Sequence, residues 1–380
     1  MVKTIGLIYD HDENWIAGSY YIENLIFALL TLPSEKPFLK IYTRTEADFQ
    51  HLQIKTGYPS LVWVKLTDQN TLIDKAINKI SYWLFRKHWI TRGIDRNVDL
   101  LFPGSDSLYF DGIKRKLFWI PDFQEKHYPH FFQASELERR KAYEQKLIHA
   151  KWPVVFSSNN ALNDFKQHFP KAENKTFVMP FAVTLPDLSG IKIDTVRSKF
   201  NLEGDYFICS NQFWAHKNHL IVLKALKQLK HSGISVNVAF TGKPYDRRNP
   251  DYFNTLKTYV EENDLKQNVF FLGFIERKEQ LLLMKNSVAV IQPSLFEGWS
   301  TVVEDAKALN VPLIISDIPV HREQVGNDYE LFFDKNDHLQ LAEKIKEAHK
   351  KPVSLFKDMY DVHIRVFGDR FVSIMDEIAK

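Results

Sequence analysis

Pro293-Ser-Leu-Phe-Glu-Gly-Trp-Ser-Thr-Val-Val-Glu-Asp-Ala-Lys-Ala-Leu309 joins two kinds of periodicity. Just before it, Val288–Gln292 is a short apolar run of strand character, and from Thr301 to Leu309 the pattern is helical. A strand that exits into a helix within a few residues is one βα unit. Glu297, Gly298 and Trp299 lie in the turn between them. The free N–H groups and dipole of a helix start at Ser300 or Thr301 suit an anion, and a diphosphate in particular. Gly298 permits close approach of a ligand to the backbone. Glu297 sits at the strand exit, where a carboxylate accepts hydrogen bonds from sugar hydroxyls. Glu304 and Asp305 stand one turn into the helix, where an acid can hold a ribose diol. The same residues also suit a plain capped helix whose acids are solvated.

Outward from this unit the same rhythm repeats. Strand patterns precede it at Lys3–Tyr9, Phe38–Thr43, Leu61–Leu66, Asp99–Phe102, Lys116–Ile120, Val154–Ser157, Thr176–Pro180, Tyr206–Ser210, Ser235–Thr241 and Val269–Leu272. Two more follow at Pro312–Ser316 and Glu330–Phe333. Helical patterns alternate with them, among them Tyr20–Leu32, Ser135–His149, Lys217–His231, Asp251–Asn263, Arg277–Asn286 and His338–Lys350. This alternation calls for parallel sheets covered by helices on both faces. The fold class is therefore α/β, with two Rossmann-like, doubly wound domains facing a central cleft. Thr184–Ser198 lacks periodicity and reads as the linker. The expected division is a first Rossmann-like domain over 1–185 and a second over 199–352. A helical segment over 353–380 is expected to pack back on the first domain.

Composition narrows the function classes. The chain has 380 residues, 44% hydrophobic and 26% charged, which is ordinary for a globular protein. Fifty basic residues against 47 acidic give a net charge of +3, too balanced for nucleic-acid binding as the main activity. The single cysteine, Cys209, excludes an intrachain disulfide and a cysteine-based zinc site, and its apolar run marks it as a buried thiol. No apolar run is long enough to span a membrane, and no signal-peptide pattern opens the sequence, so a cytoplasmic protein is expected. No G-x-G-x-x-G occurs, which argues against a nicotinamide dehydrogenase.

The segment from Glu297 resembles the signature of the family 4 retaining glycosyltransferases, which have the two-domain GT-B architecture. That signature is a glutamate, seven residues, then a second glutamate, opening Glu-Gly-Phe-Gly. Glu297, Gly298, Trp299 and Ser300 match the opening, with Ser in place of Gly at 300. Asp305 takes the second acidic place, with Glu304 as its competitor for the ribose. A second run, Ser210-Asn-Gln-Phe-Trp-Ala-His-Lys-Asn-His219, resembles the family's loop whose Arg and Lys hold the donor diphosphate. Lys217 matches the lysine, and the arginine position falls on Gln212. A third, Phe271-Leu-Gly-Phe-Ile-Glu-Arg277, resembles the turn that contacts the base, with Gly273 making the turn and Phe274 packing on the ring.

In the first half, Gly18 stands where the family has a glycine-rich loop. In Trp119-Ile-Pro-Asp-Phe-Gln-Glu-Lys-His127, Pro121 occupies the family's histidine position and Asp122 remains. Asp122, Gln124, Lys126 and His127 are then candidates for holding acceptor or donor hydroxyls. Asp317 and Glu323 are read as shaping the site. The basic, aromatic segment 75–92 admits two readings. One is a core-facing helix with its Trp and Phe buried, and this is the favoured one. The other is a helix resting on an anionic membrane.

The resemblance implies a retaining transfer of a hexose-type sugar from a nucleotide diphosphate donor to a hydroxyl of a glycan or lipid-linked acceptor, in surface polysaccharide synthesis. Lys217, Glu297 and Asp122 would carry the catalysis. No cofactor or metal is expected beyond the donor itself. The substitutions at 212 and 121 motivate a second reading, a nucleotide-sugar-binding protein without turnover.

Overall fold

The computed structural model describes residues 4–10, 16–33, 35–66, 71–85, 94–350 and 360–380. Seven parallel strands build the N-terminal half: β1 Thr4–Ile8, β2 Phe38–Thr43, β3 Leu61–Lys65, β4 Leu100–Phe102, β5 Phe118–Ile120, β6 Val154–Phe156 and β7 Thr176–Val178. Among the described residues they form two sheets, β3-β2-β1-β4 and β5-β6-β7, joined by a parallel bridge between Leu101 and Lys116. The helices are α1 Ile16–Leu30, α2 Glu46–Thr56, α3 Leu72–Phe85, the one-turn α4 Gln124–His127, α5 Ala134–His149 and α6 Asn159–His168.

The C-terminal half has six strands: β8 Tyr206–Ser210, β9 Asn237–Thr241, β10 Val269–Gly273, β11 Val290–Gln292, β12 Leu313–Ser316 and β13 Phe332–Phe333. Their order, β10-β9-β8-β11-β12-β13, is all parallel and reverses direction between β8 and β11. A reversal of this kind opens a crevice at the carboxyl ends of the two central strands. The strands are mostly apolar because helices cover both faces, with buried polar residues such as Ser210, Thr241, Gln292 and Ser316 at their carboxyl ends. These are α7 Ile193–Lys199, α8 His219–His231, α9 Tyr252–Glu262, α10 Arg277–Lys285, α11 Thr301–Leu309, α12 Pro319–Val325 and α13 His338–Lys350. Cys209 lies in β8 at zero exposure, and burial pushes its thiol up to about 12, so it is inert.

The linker reading needs correction at its end. Residues 193–199 are helical, and Val196 is buried in the C-terminal core with Leu202 and Tyr206. Seven residues are too few to show a clear helical period, which is why the sequence reads as irregular. The last helix, α14 Asp361–Ala379, returns to the first half of the chain: Phe367, Phe371, Ile374 and Met375 are buried in one core with Ile5, Leu25 and Leu29. Among the described residues no helix is long and apolar enough to cross a membrane.

The expected burial of the 75–92 segment also fails where it can be followed. In α3, Trp83 is 77% exposed and Ile80 60%, while Asp74, Asn78 and Ser81 are buried. The helix turns its polar stripe inward. Residues 86–93 lie outside the described residues.

Candidate functional site

Two loops make the site, one leaving β8 and the other leaving β11. The two strands are neighbours in the sheet, so their loops emerge side by side. Backbone and side chains then stitch them together. The N–H of Leu295 donates to the carbonyl of His216 at 2.8 Å, and Asn218 Nδ2 donates to that of Pro293 at 3.2 Å. Beneath them Asn211 Nδ2 donates to Gln292 Oε1 at 2.8 Å. Gly242 sits in the floor at φ +142°, and a Cβ there would meet the carbonyl oxygen of Asn211 at 2.1 Å, so only glycine fits.

Lys217 lies in a single 3-10 turn, Ala215–Lys217, that precedes α8. Its Nζ donates to both carboxylate oxygens of Glu297, at 2.6 and 2.8 Å. Glu297 Oε1 also accepts from Ser294 Oγ at 2.6 Å and Gln292 Nε2 at 2.8 Å. Among the described residues Oε2 accepts only from Lys217, which leaves it lone-pair capacity. Burial alone would push this carboxyl up. The Lys217 ammonium, the nearby His321 and the hydrogen bonds outweigh it and hold Glu297 below its ordinary value.

The helix start behaves differently from expectation at one residue. Ser300 is the N-cap of α11, and its Oγ accepts from the N–H of Val303 at 3.4 Å. Its own N–H is taken by Gln324 Oε1 at 3.0 Å and is not available to a diphosphate. The N–H groups of Thr301 and Val302, in the first turn, remain for a ligand.

These residues line an open cleft, together with Tyr20, Gln212, Trp214, Phe274, Arg277, Gln280, Trp299 and Asp305. Of the residues named from the sequence, Gln212, Lys217, Phe274, Glu297, Trp299, Ser300, Thr301 and Asp305 are all brought to it. Gln212 Oε1 accepts from the N–H of Lys243 at 2.8 Å, so its amide NH₂ is the group it offers. Phe274 is half exposed at the rim. Trp299 donates its indole N–H to the carbonyl of Phe181 at 3.0 Å, tying this loop to the N-terminal half.

Five residues named from the sequence are placed elsewhere than expected. Gly298 does not line the cleft: a Cβ there would meet Pro121 O at 2.6 Å and Asp122 at 2.9 Å, so the glycine lets the N-terminal loop, not a ligand, approach. Glu304 points away, accepting from Tyr360 Oη at 2.6 Å, Gln324 Nε2 at 2.9 Å and Lys307 Nζ at 3.4 Å. Its carboxylate belongs to the contact with the segment before α14, and Asp305 is the acid that faces the cleft. Gly18 is a buried residue in the first turn of α1, and Gly273 ends β10; neither is on the cleft wall. Glu323 is a domain bridge: it accepts from the N–H of Asn159 at 2.8 Å and of Asn160 at 3.2 Å, at the start of α6.

On the acceptor side, Asp122 is half-buried against Gly298, with Oδ1 accepting from the N–H of Gln124 at 3.0 Å. Burial raises its pKa, and Glu297 adds to the rise. Gln124 accepts from Arg248 at 3.4 Å. His127 Nε2 is 2.8 Å from Asp164 Oδ2, and Lys126 is paired with Glu144 at 2.7 Å. These residues neighbour the cleft and do not line it. Among the described residues no group of His, Cys, Asp and Glu is arranged to hold a metal ion.

Sequence reasoning passed over Arg277. It begins α10, bonds Asp305 through Nη2 and Gln280 Oε1 through Nη1 at 3.2 Å, and lies 5.2 Å from the ring of Tyr20 in α1. Asp305 is fully buried, and its Oδ2 has no partner among the described residues. The available signal was position: a first-turn residue after a β-strand turn faces the same crevice as the other strand exits.

Residues 191–361 match the family of glycosyl transferases group 1. The O-antigen chain mannosyltransferase RfbU of Salmonella typhimurium is 30% identical over 149 residues, 39% of this chain and 39% of that protein. The match thus spans about two fifths of that relative's length. Two solved structures share the whole architecture. A glycosyltransferase of Rickettsia africae has a TM-score of 0.70 at 16% identity, covering 100% of this chain and 99% of its own. HepE of Anabaena, solved with UDP and glucose, has a TM-score of 0.70 at 14% identity, covering 99% and 100%. Residues 191–361 thus resemble the glycosyl transferases group 1 family, and the chain as a whole has the GT-B fold of two Rossmann-like domains.

Proposed function

We propose that the protein moves a hexose-type sugar from a nucleoside diphosphate donor to a hydroxyl of a glycan or lipid-linked acceptor, with retention of configuration. The setting is surface polysaccharide assembly at the inner face of a membrane. One observation carries the reading: Lys217, Glu297 and the free N–H groups of Thr301 and Val302 converge on one cleft at the switch point of the C-terminal sheet. A departing diphosphate gains negative charge there, and a fixed ammonium with a helix start stabilises it without reorganisation. Glu297 holds Lys217 in place and offers Oε2 to a donor hydroxyl. Asp305, buried behind Arg277, holds that cation at the cleft wall where the donor would sit. The acceptor oxygen bonds to the anomeric carbon on the face the diphosphate leaves, the bond to the leaving oxygen breaks, and the acceptor proton passes to the diphosphate. Catalysis is then positioning plus charge stabilisation.

The test is turnover. Lys217→Ala and Glu297→Ala should each lower kcat about 10²-fold or more, with NMR of the product giving the anomeric outcome. Normal rates in both folded variants remove the assignment. RfbU supports trying nucleotide-mannose donors first, and HepE supports UDP-sugars next. A second reading has its own observation. Both cations on the cleft wall, Lys217 and Arg277, are paired with carboxylates, and Gln212 carries no charge. That arrangement suits a nucleotide-sugar-binding protein without turnover. Calorimetric binding of a donor that is never consumed, with any acceptor, would favour it.

A further inference from the structure

We infer that the outward face of α3 docks on an anionic lipid surface. The helix is built the wrong way round for a domain in water alone. Ile73, Ala76, Ile77, Ile80 and Leu84 follow the i, i+3, i+4, i+7, i+11 spacing that places residues on one face. Trp83 borders that stripe. Ile73 is 71% exposed, Ile80 60%, Trp83 77% and Leu84 55%. The opposite face holds Asp74, Asn78 and Ser81, and among the described side chains of α3 these polar residues are the buried ones, at 1%, 4% and 1%. A helix that keeps its polar side for the protein has its apolar side left for something else.

Charge selects the occupant. The one acid of 71–93 is Asp74, which is turned inward, against five basic residues in the same stretch. Lys79 is exposed beside the stripe. An isologous dimer through this face would set Lys79 near its own copy with no acid to pair it. An apolar stripe edged by Trp and Lys fits the boundary between lipid headgroups and acyl chains, where tryptophan is favoured and anionic lipid attracts the cations. Delivering the cleft to a lipid-linked acceptor rests on the proposed function. The docking itself does not.

Flotation of the full chain with vesicles tests it without donor or acceptor, so failure of the transferase reading leaves the result intact. Vesicles of phosphatidylcholine are compared with vesicles holding roughly one third phosphatidylglycerol. The wild type should float with the anionic vesicles at low salt and be released near ~0.5 M salt. The double variant Ile80→Asp/Trp83→Asp should bind at least ~10-fold more weakly, and Lys79→Glu should weaken binding at low salt. All these side chains are exposed, so thermal melts and donor hydrolysis should stay at wild-type values. No flotation of the wild type at low salt overturns the inference. So does equal flotation of the double variant, or a dimer that this variant converts to monomer.

Discussion

Lys217 and Glu297 form a pair whose side chains are only 14% and 8% exposed. Removing one partner strands the other charge in a poor solvent, at a cost of about 3–5 kcal/mol for a buried pair. Lys217→Met should therefore destabilise the free protein by about 3 kcal/mol, and adding Glu297→Gln should recover much of it. A double-mutant cycle in urea should return a coupling of about 2 kcal/mol or more. The pH dependence follows from the lowered Glu297 pKa. A carboxylate held below its unfolded value stabilises the fold above that value and loses its contribution as pH falls through the folded one. Removing the ammonium of Lys217 lets burial raise the folded value, so that acid arm should shrink. Arg277 has a different prediction. Arg277→Gln leaves Asp305 buried without its counter-charge and takes a cation from the cleft. Affinity for a nucleoside diphosphate, measured by titration calorimetry, should fall about 10-fold, the worth of one hydrogen bond to a charged group.

At the scale of elements, the two domains meet through devices at helix and loop ends. Glu323 of α12 occupies the start of α6, and Gly298 lets the β11–α11 turn close on Pro121 and Asp122. Glu323→Ala should cost about 1 kcal/mol, as loss of a helix cap does, and should enlarge the radius of gyration in small-angle scattering. Gly298→Ala should do the same through a clash, with each domain's secondary structure unchanged. These devices mark the boundary of what the sequence carries. The strands β8 and β11 and helix α11 were legible because each is a local run with its own period. Lys217 and Glu297 were legible through motif resemblance, since each sits a fixed number of residues past a strand. The N–H of Ser300 was assigned to a ligand because its acceptor, Gln324, is 24 residues away and no spacing reveals it. Glu304 and Asp305 could not be told apart for the same reason: Tyr360, which draws Glu304 away, lies 56 residues on. Trp83 was assigned to the core because a strongly two-faced helix does not say which face is inside.

Across the whole molecule, buried histidines set the acid limit. His216, His219 and His321 are at 6%, 0% and 0% exposure. Burial holds His219 down to about 3 and His321 down to about 4, and places His216 well below its ordinary value. The unfolded chain binds protons near pH 6.5 that the folded chain refuses, so stability falls as pH drops below that value. Each histidine contributes about 1.4 kcal/mol per pH unit in that window. Melting temperature should therefore drop steadily from pH 6.5 toward pH 4, and His219→Phe, which keeps the ring stacked on Phe213, should flatten the slope. The largest claim is that the cleft between the domains grips a diphosphate. A crystal structure with a nucleoside diphosphate bound tests it most directly. The account predicts phosphate oxygens within about 3 Å of Lys217 Nζ and of the N–H groups of Thr301 and Val302. A nucleotide seated elsewhere, with Lys217 and the start of α11 untouched, would contradict it.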